Sequence, residues 1–116
     1  MKLAQRQSGD ITILDLQGKI RFADGDEELR EAIDKTVASG HVKLILNMAE
    51  VSYVDSAGLS ELVRSYVTVS KKSGRLVLLD LTHKVQDILT ITKLLTVFEA
   101  YESEEAAVRS FAATAK

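Results

Sequence analysis

Residues 51–59, with the sequence VSYVDSAGL, decide how this chain is organised. Their first half continues an apolar strand-and-turn segment, and the tetrad Asp55-Ser56-Ala57-Gly58 then opens an amphipathic helix. A serine hydroxyl at a helix start lies beside free backbone N–H groups and the positive end of the helix dipole, which favours a phosphate there. Apolar residues at helical spacing predict the buried face of this helix: Leu59, Leu62, Val63, Tyr66 and Val67.

Upstream of this junction the pattern predicts two strands, a helix and a third strand. Alternating residues 10–16 predict a strand that ends at Gly18, and residues 1–7 predict a weaker edge strand paired with it as a hairpin. The capping-box form of residues 24–27 predicts a helix that begins at Asp24 and stops at Gly40. The apolar run 42–48 predicts a strand buried on both faces, followed by a turn at residues 49–50.

Downstream, Gly74 closes the second helix and residues 76–81 predict another buried strand. Thr82 caps a third helix, residues 96–101 predict a short final strand, and Ser103 caps a fourth helix. The predicted order is therefore β-β-α-β-α-β-α-β-α. Strands that alternate with helices pair in parallel, and the initial hairpin makes the sheet mixed. We expect one α/β domain over residues 1–116, with about five strands and about four helices.

Composition excludes several classes of function. The net charge is −2 and no basic run occurs, so nothing favours binding to nucleic acid or to an anionic membrane. No apolar stretch approaches the length of a membrane span, and cysteine is absent, so we expect a cytoplasmic protein without disulfides or thiolate sites. We expect no metal and no cofactor: helix capping accounts for the acidic residues 24–28, and no glycine-rich loop is present to hold ATP.

Ser56 has two readings besides phosphorylation. It is a good N-cap residue, although Asp55 competes for that position. It is also a possible nucleophile, which needs a base; His83 is predicted on the same rim of the sheet, whereas His41 is predicted at the opposite end. The Gly-x-Ser-x-Gly elbow of serine hydrolases is absent. Gly58 weakens a first helical turn, which indicates that something approaches its backbone closely, and a partner surface would supply the reason.

The tetrad and its setting resemble the STAS domain family, the bacterial anti-sigma factor antagonists, over nearly the whole chain. The resemblance rests on the strand before Gly18, the strand 44–47, the segment 51–59 and the strand 75–81. Asp-Ser-x-Gly-Leu after a Tyr-x pair is its specific mark. The chain departs from the family pattern at Ala57, where Ser or Thr is common, and at residues 19–22, where Lys19 and Arg21 favour an acidic partner surface.

The resemblance implies a partner-switching regulator rather than an enzyme. The unphosphorylated protein would bind an anti-sigma factor that is also a serine/threonine kinase, phosphorylation of Ser56 would release it, and a serine phosphatase would reset it. Two alternatives stay open: a non-switching scaffold subunit of a signalling or lipid-transport complex, and a small serine hydrolase. The residues expected to contact the partner are Asp55, Ala57, Gly58, Leu59, Ser60, Lys19 and Arg21.

Overall fold

A five-stranded sheet with the strand order β1-β2-β3-β4-β5 forms the centre of the structure. The computed structural model describes residues 1–114, and their side chains as far as residue 112. The strands are β1 (Lys2–Ser8), β2 (Ile11–Ile20), β3 (Lys43–Val54), β4 (Arg75–Leu79) and β5 (Glu99–Tyr101). The helices are α1 (Asp26–Ala38), α2 (Ser56–Lys71), α3 (His83–Ile91) and α4 (Glu104–Thr114), with a short 3₁₀ helix, Leu94–Thr96, before β5.

Strand pairing confirms the predicted fold class and element order. β1 pairs with β2 in antiparallel, and β2, β3, β4 and β5 pair successively in parallel. Each parallel connection carries a helix, as right-handed crossovers require. The carboxyl ends of β2, β3 and β4 therefore meet at one edge of the sheet, and α2 begins at that edge.

Both faces of the central strands are covered. On one face, Leu44 and Leu46 of β3 belong to the main core, together with apolar residues of α1, α2 and α3. On the other face, Ile45 packs in a smaller cluster with Ala107 and Phe111 of α4. Because neither face meets water, β3 and β4 read as continuous apolar runs instead of alternating ones.

The predicted end of β2 and the predicted turn after residues 42–48 are wrong, and β4 ends at Leu79 rather than at residue 81. β2 does not end at Gly18 but continues to Ile20, because Gly18 takes a positive φ of 112° at a register shift in the ladder. Residues 49–50 are not a turn but lie inside β3, where a second shift lets three residues of β3 oppose two of β2. Bulges of this kind keep a strand paired through residues that look like a break in the sequence.

The beginning of α1 and the buried face of α2 also differ from the predictions. Gly25, not Asp24, is the N-cap of α1, and no side chain caps it, because Arg21 binds the Asp24 carboxylate at 2.8 Å. Val67 of α2 is 40% exposed instead of buried. Two polar residues that the apolar pattern does not mark, Glu61 and Ser65, are buried in α2 instead. The buried residues of α2 are Gly58, Glu61, Leu62, Ser65 and Val69.

The last strand is shorter than predicted. Residues 94–96 form the 3₁₀ helix, and β5 begins at Glu99. Lys93 precedes the 3₁₀ helix with a left-handed φ of 63°, which reverses the chain after α3. Phe98 lies between the 3₁₀ helix and β5 in the chain, and its side chain is buried in the core at 5% exposure. An aromatic core residue in a turn therefore produced the strand-like pattern.

Candidate functional site

Asp55 caps α2, and Ser56 is the first residue of the helix. The Oδ1 atom of Asp55 accepts a hydrogen bond from the Gly58 N–H at 2.8 Å, with the Asp55 backbone extended as an N-cap requires. The reading of Ser56 as the cap is therefore wrong. Ser56 is exposed, and its hydroxyl has no hydrogen-bond partner within residues 1–114. The start of α2 thus presents a serine hydroxyl that is exposed and makes no hydrogen bond within the described residues.

The second carboxylate oxygen of Asp55 ties a neighbouring loop to this helix start. Oδ2 accepts a hydrogen bond from the Phe22 N–H at 3.0 Å, in the connection between β2 and α1. The N–H groups of Gly58 and Phe22 hold the pKa of Asp55 below its ordinary value, since both bonds favour the charged form. The ionised carboxylate therefore links the β2–α1 connection to α2 beside Ser56.

Gly58 is a glycine for a reason inside the chain. A Cβ atom at this position would lie 2.0 Å from the carbonyl oxygen of Ile20. The same oxygen accepts a hydrogen bond from the Asp55 N–H at 3.3 Å. The end of β2, and not a partner, is the group that approaches this backbone, which corrects the expectation from the sequence. Gly58 is itself buried.

Ser56 lies on the edge of a shallow groove along α2. Ser56, Leu59, Ser60 and Val63 follow one another at helical spacing and line a groove of about 400 Å³ together with Leu94. Ser60 is exposed, whereas Leu59 and Ala57 are half-buried. The groove therefore brings Ser56 together with two of the predicted contact residues, Leu59 and Ser60, on one side of the helix.

The two predicted basic residues differ in their surroundings. The Arg21 guanidinium pairs with Asp24 at 2.8 Å, so its charge is largely compensated within the chain. Lys19 is exposed and has no acidic partner in the described part of the chain. Lys19 lies opposite Tyr53 in the β2–β3 ladder, and Tyr53 precedes Ser56 by three residues in the chain. Lys19 therefore offers a positive charge to an acidic surface here, and a second exposed cation, Lys84, has its Nζ atom 5.7 Å from the centre of the Tyr53 ring.

Neither histidine forms a hydrogen bond with Ser56 among the described residues. The His83 side chain is 91% exposed and lies 3.4 Å from Asp87 on its own helix. The His41 ring lies 3.5 Å from the Gln7 amide, at the opposite end of the sheet.

The described residues contain no group of three or more potential metal ligands. Within them, no helix is long and apolar enough to cross a bilayer.

Sequence reasoning missed a buried charge beneath the site. The Glu61 side chain is 1% exposed and pairs with Arg30 of α1 at 3.0 Å and with Arg64 at 2.9 Å. The Ser65 hydroxyl donates a further hydrogen bond to it at 3.1 Å. These contacts clamp α1 against α2. The sequence pattern that could have revealed this buried charge is a glutamate on the inner side of α2, followed by an arginine three residues later and a serine four residues later.

The sequence of this chain matches a known family model over most of its length. The STAS domain model matches residues 2–107, so the chain belongs to the STAS domain family. BtrV of Bordetella bronchiseptica, whose name places it among anti-sigma factor antagonists, is 29% identical over 96% of this chain and 95% of its own length.

Solved structures show the same fold. An anti-sigma factor antagonist from Mycobacterium paratuberculosis superposes with a TM-score of 0.83 at 19% identity, over 94% of this chain and 92% of that one. The Bacillus cell fate determinant SpoIIAA in its phosphorylated form gives a TM-score of 0.72 at 19% identity, over 94% of this chain and 99% of that one. SpoIIAA is an anti-sigma factor antagonist. At these identities the structures establish the fold.

Proposed function

We propose that this protein is an anti-sigma factor antagonist of the cytoplasm, controlled by phosphorylation of Ser56. Unphosphorylated, it binds an anti-sigma factor that is also a serine kinase, and the phosphate on Ser56 ends that binding. The observation that carries the proposal is the free, exposed Ser56 hydroxyl at the start of a helix that Asp55 already caps. The relationship to proteins named as antagonists supports it.

The phosphoryl transfer uses groups from both proteins. The Ser56 oxygen attacks the γ-phosphorus of ATP, the bond from that phosphorus to the β,γ-bridging oxygen breaks, and ADP leaves. The hydroxyl proton passes to a base on the kinase. The kinase brings the nucleotide, because this chain has no glycine-rich phosphate loop. A serine phosphatase would restore the hydroxyl by hydrolysis.

The start of α2 accounts for both the stability of the phosphate and the loss of binding. A phosphate adds about −1.5 to −2 charge at pH 7. Free N–H groups and the dipole of α2 stabilise that charge within the chain. A partner packed on Ser56 would have to desolvate the phosphate beside the ionised Asp55 carboxylate. Each 1.4 kcal/mol of this cost weakens affinity about tenfold.

The surface that we assign to the kinase surrounds Ser56. Ser60, with the exposed part of Leu59, provides contact along the groove, and Lys19 provides charge. Gly58 lies below this surface, where the absence of a side chain lets α2 pack closely against the end of β2. Of the contact residues expected from the sequence, we retain Asp55, Ala57, Leu59, Ser60, Lys19 and Arg21, whereas Gly58 is buried and supports this surface from inside the chain.

Three parallel baits test the proposal: wild type, Ser56→Ala and Ser56→Asp, applied to lysate of the source cells. We expect the first two to retain a kinase that uses ATP to phosphorylate wild type but not Ser56→Ala, and the third to lose it. Retention of one partner by all three baits would contradict the switch. That result would instead favour a non-switching scaffold in a signalling or lipid-transport complex.

A further inference from the structure

Phe22 is an aromatic side chain that the fold leaves in water. Its side chain is 77% exposed, and among the described residues only Ile91, at 80%, is a large apolar side chain exposed to a similar degree. Single exposed apolar residues are common on protein surfaces and need no special role. Phe22 differs from other exposed apolar residues because its backbone lies in a hydrogen-bonded turn and bonds to Asp55, the residue that caps α2.

The connection that carries Phe22 is fixed by several bonds. Arg21 and Asp24 exchange two backbone hydrogen bonds, each of 2.9 Å, across the turn that contains Phe22. Their side chains form an ion pair at 2.8 Å on the same turn. Ala23 takes a left-handed φ of 60°, which a residue with a Cβ adopts only when its surroundings impose it. The ring therefore projects from a backbone that is already ordered.

The same connection is joined to the phosphoacceptor. The Phe22 N–H donates to the Asp55 carboxylate at 3.0 Å, and the other oxygen of that carboxylate caps the helix that Ser56 begins. One residue thus holds both the loop of Phe22 and the start of α2. Through this carboxylate the turn of Phe22 is held next to the start of α2, within reach of a partner that covers Ser56.

We propose that Phe22 is an anchor that inserts into an apolar pocket of the serine kinase that phosphorylates Ser56. This inference rests on the proposed function and names one contact that determines the affinity of the kinase for this protein. Buried aromatic residues dominate the energy of many interfaces. An anchor on an ordered turn loses little conformational freedom on binding, which increases its effect. The ring contributes no core packing to the free protein, so its role lies outside the fold.

The test compares Phe22→Ala with Ile91→Ala, a matched control of equal exposure at the end of α3. The probe is the purified kinase, identified by its transfer of phosphate from ATP to Ser56 of the wild-type protein. We expect Phe22→Ala to weaken kinase binding about 30-fold or more, and Ile91→Ala to change it less than about twofold. Both variants should melt within about 2 °C of wild type, because neither side chain is buried.

Phosphorylation kinetics separate an anchor from a disturbed helix start. The Phe22→Ala variant keeps the backbone N–H that binds Asp55, so we expect a raised KM for this substrate with an unchanged kcat. Unchanged KM and affinity in Phe22→Ala would overturn the anchor while leaving the proposed switch intact. A lowered kcat with unchanged affinity would overturn it too. If no kinase phosphorylates the wild-type protein at Ser56, the proposed function fails and the anchor fails with it.

Discussion

Replacing Gly58 by alanine tests how α2 is held against the sheet. The added Cβ would lie 2.0 Å from the Ile20 carbonyl oxygen and 2.9 Å from both the Ile20 carbonyl carbon and the Val54 Cγ1 atom. Ile20 and Val54 are themselves paired across β2 and β3, so neither backbone moves freely. The start of α2 must therefore shift away from the end of β2.

The expected loss follows from three opposing contributions. Alanine in place of glycine favours the helix by about 1 kcal/mol. Overpacking costs about 1–3 kcal/mol, and loss of the hydrogen bond accepted by the Ile20 carbonyl costs about 1 kcal/mol. The net loss is about 1–3 kcal/mol. At about 2.1 cal/mol/K per residue, a loss of 2 kcal/mol lowers the Tm of a 116-residue chain by about 8 °C.

Thermal and urea unfolding followed by circular dichroism measure this change, with Ser70→Ala as the control. Ser70 is exposed on the same helix, so its replacement should change stability by less than about 0.5 kcal/mol. The shift of α2 also displaces Ser56, so phosphorylation of Gly58→Ala should slow. A Gly58→Ala protein more stable than wild type, as helix propensity alone requires, would refute the close packing of α2 on β2.

Two further predictions concern charged groups near the site. Glu61→Ala should lower the free energy of unfolding by about 2 kcal/mol in urea titrations, because the change leaves Arg30 and Arg64 without their shared carboxylate; no loss would show that the clamp between α1 and α2 is unimportant. The pKa of Asp55 is lower in the folded chain, so its contribution to stability is present above about pH 4 and disappears as pH falls below that value. The stability difference between wild type and Asp55→Asn should therefore shrink on acidification between about pH 5 and pH 2, and a difference that grows would contradict the assigned hydrogen bonds.

The fold was predictable because its main signals are local. Alternation in β2, the apolar runs of β3 and β4, and the apolar spacing of the helices each follow from burial on known faces of regular elements. The position of the tetrad at a strand-to-helix junction was predictable for the same reason. The positive φ of Gly18 was not, since it depends on how β2 pairs with a bulged β3.

The strand-to-helix junction that carries the proposed site was predictable in its position, but the contacts within it were not. Asp55 and Ser56 are both good caps, and only the turn geometry decides between them. The reason for Gly58 lies in Ile20, which is distant in sequence and reaches α2 only after the sheet has formed. The burial of Glu61 depends on an arginine of α1, so an amphipathic pattern within α2 does not reveal it.

The affinity of the purified kinase for this protein, measured before and after phosphorylation of Ser56, decides whether the phosphate is a switch. The phosphorylated protein is prepared with the kinase and ATP, and Ser56→Ala treated in the same way is the control. We predict that the phosphate weakens binding by about 100-fold or more, equivalent to about 2.7 kcal/mol. The control should incorporate no phosphate and keep full affinity. Equal affinity of the two forms, or phosphate carried by another residue, would contradict a phosphorylation switch at Ser56.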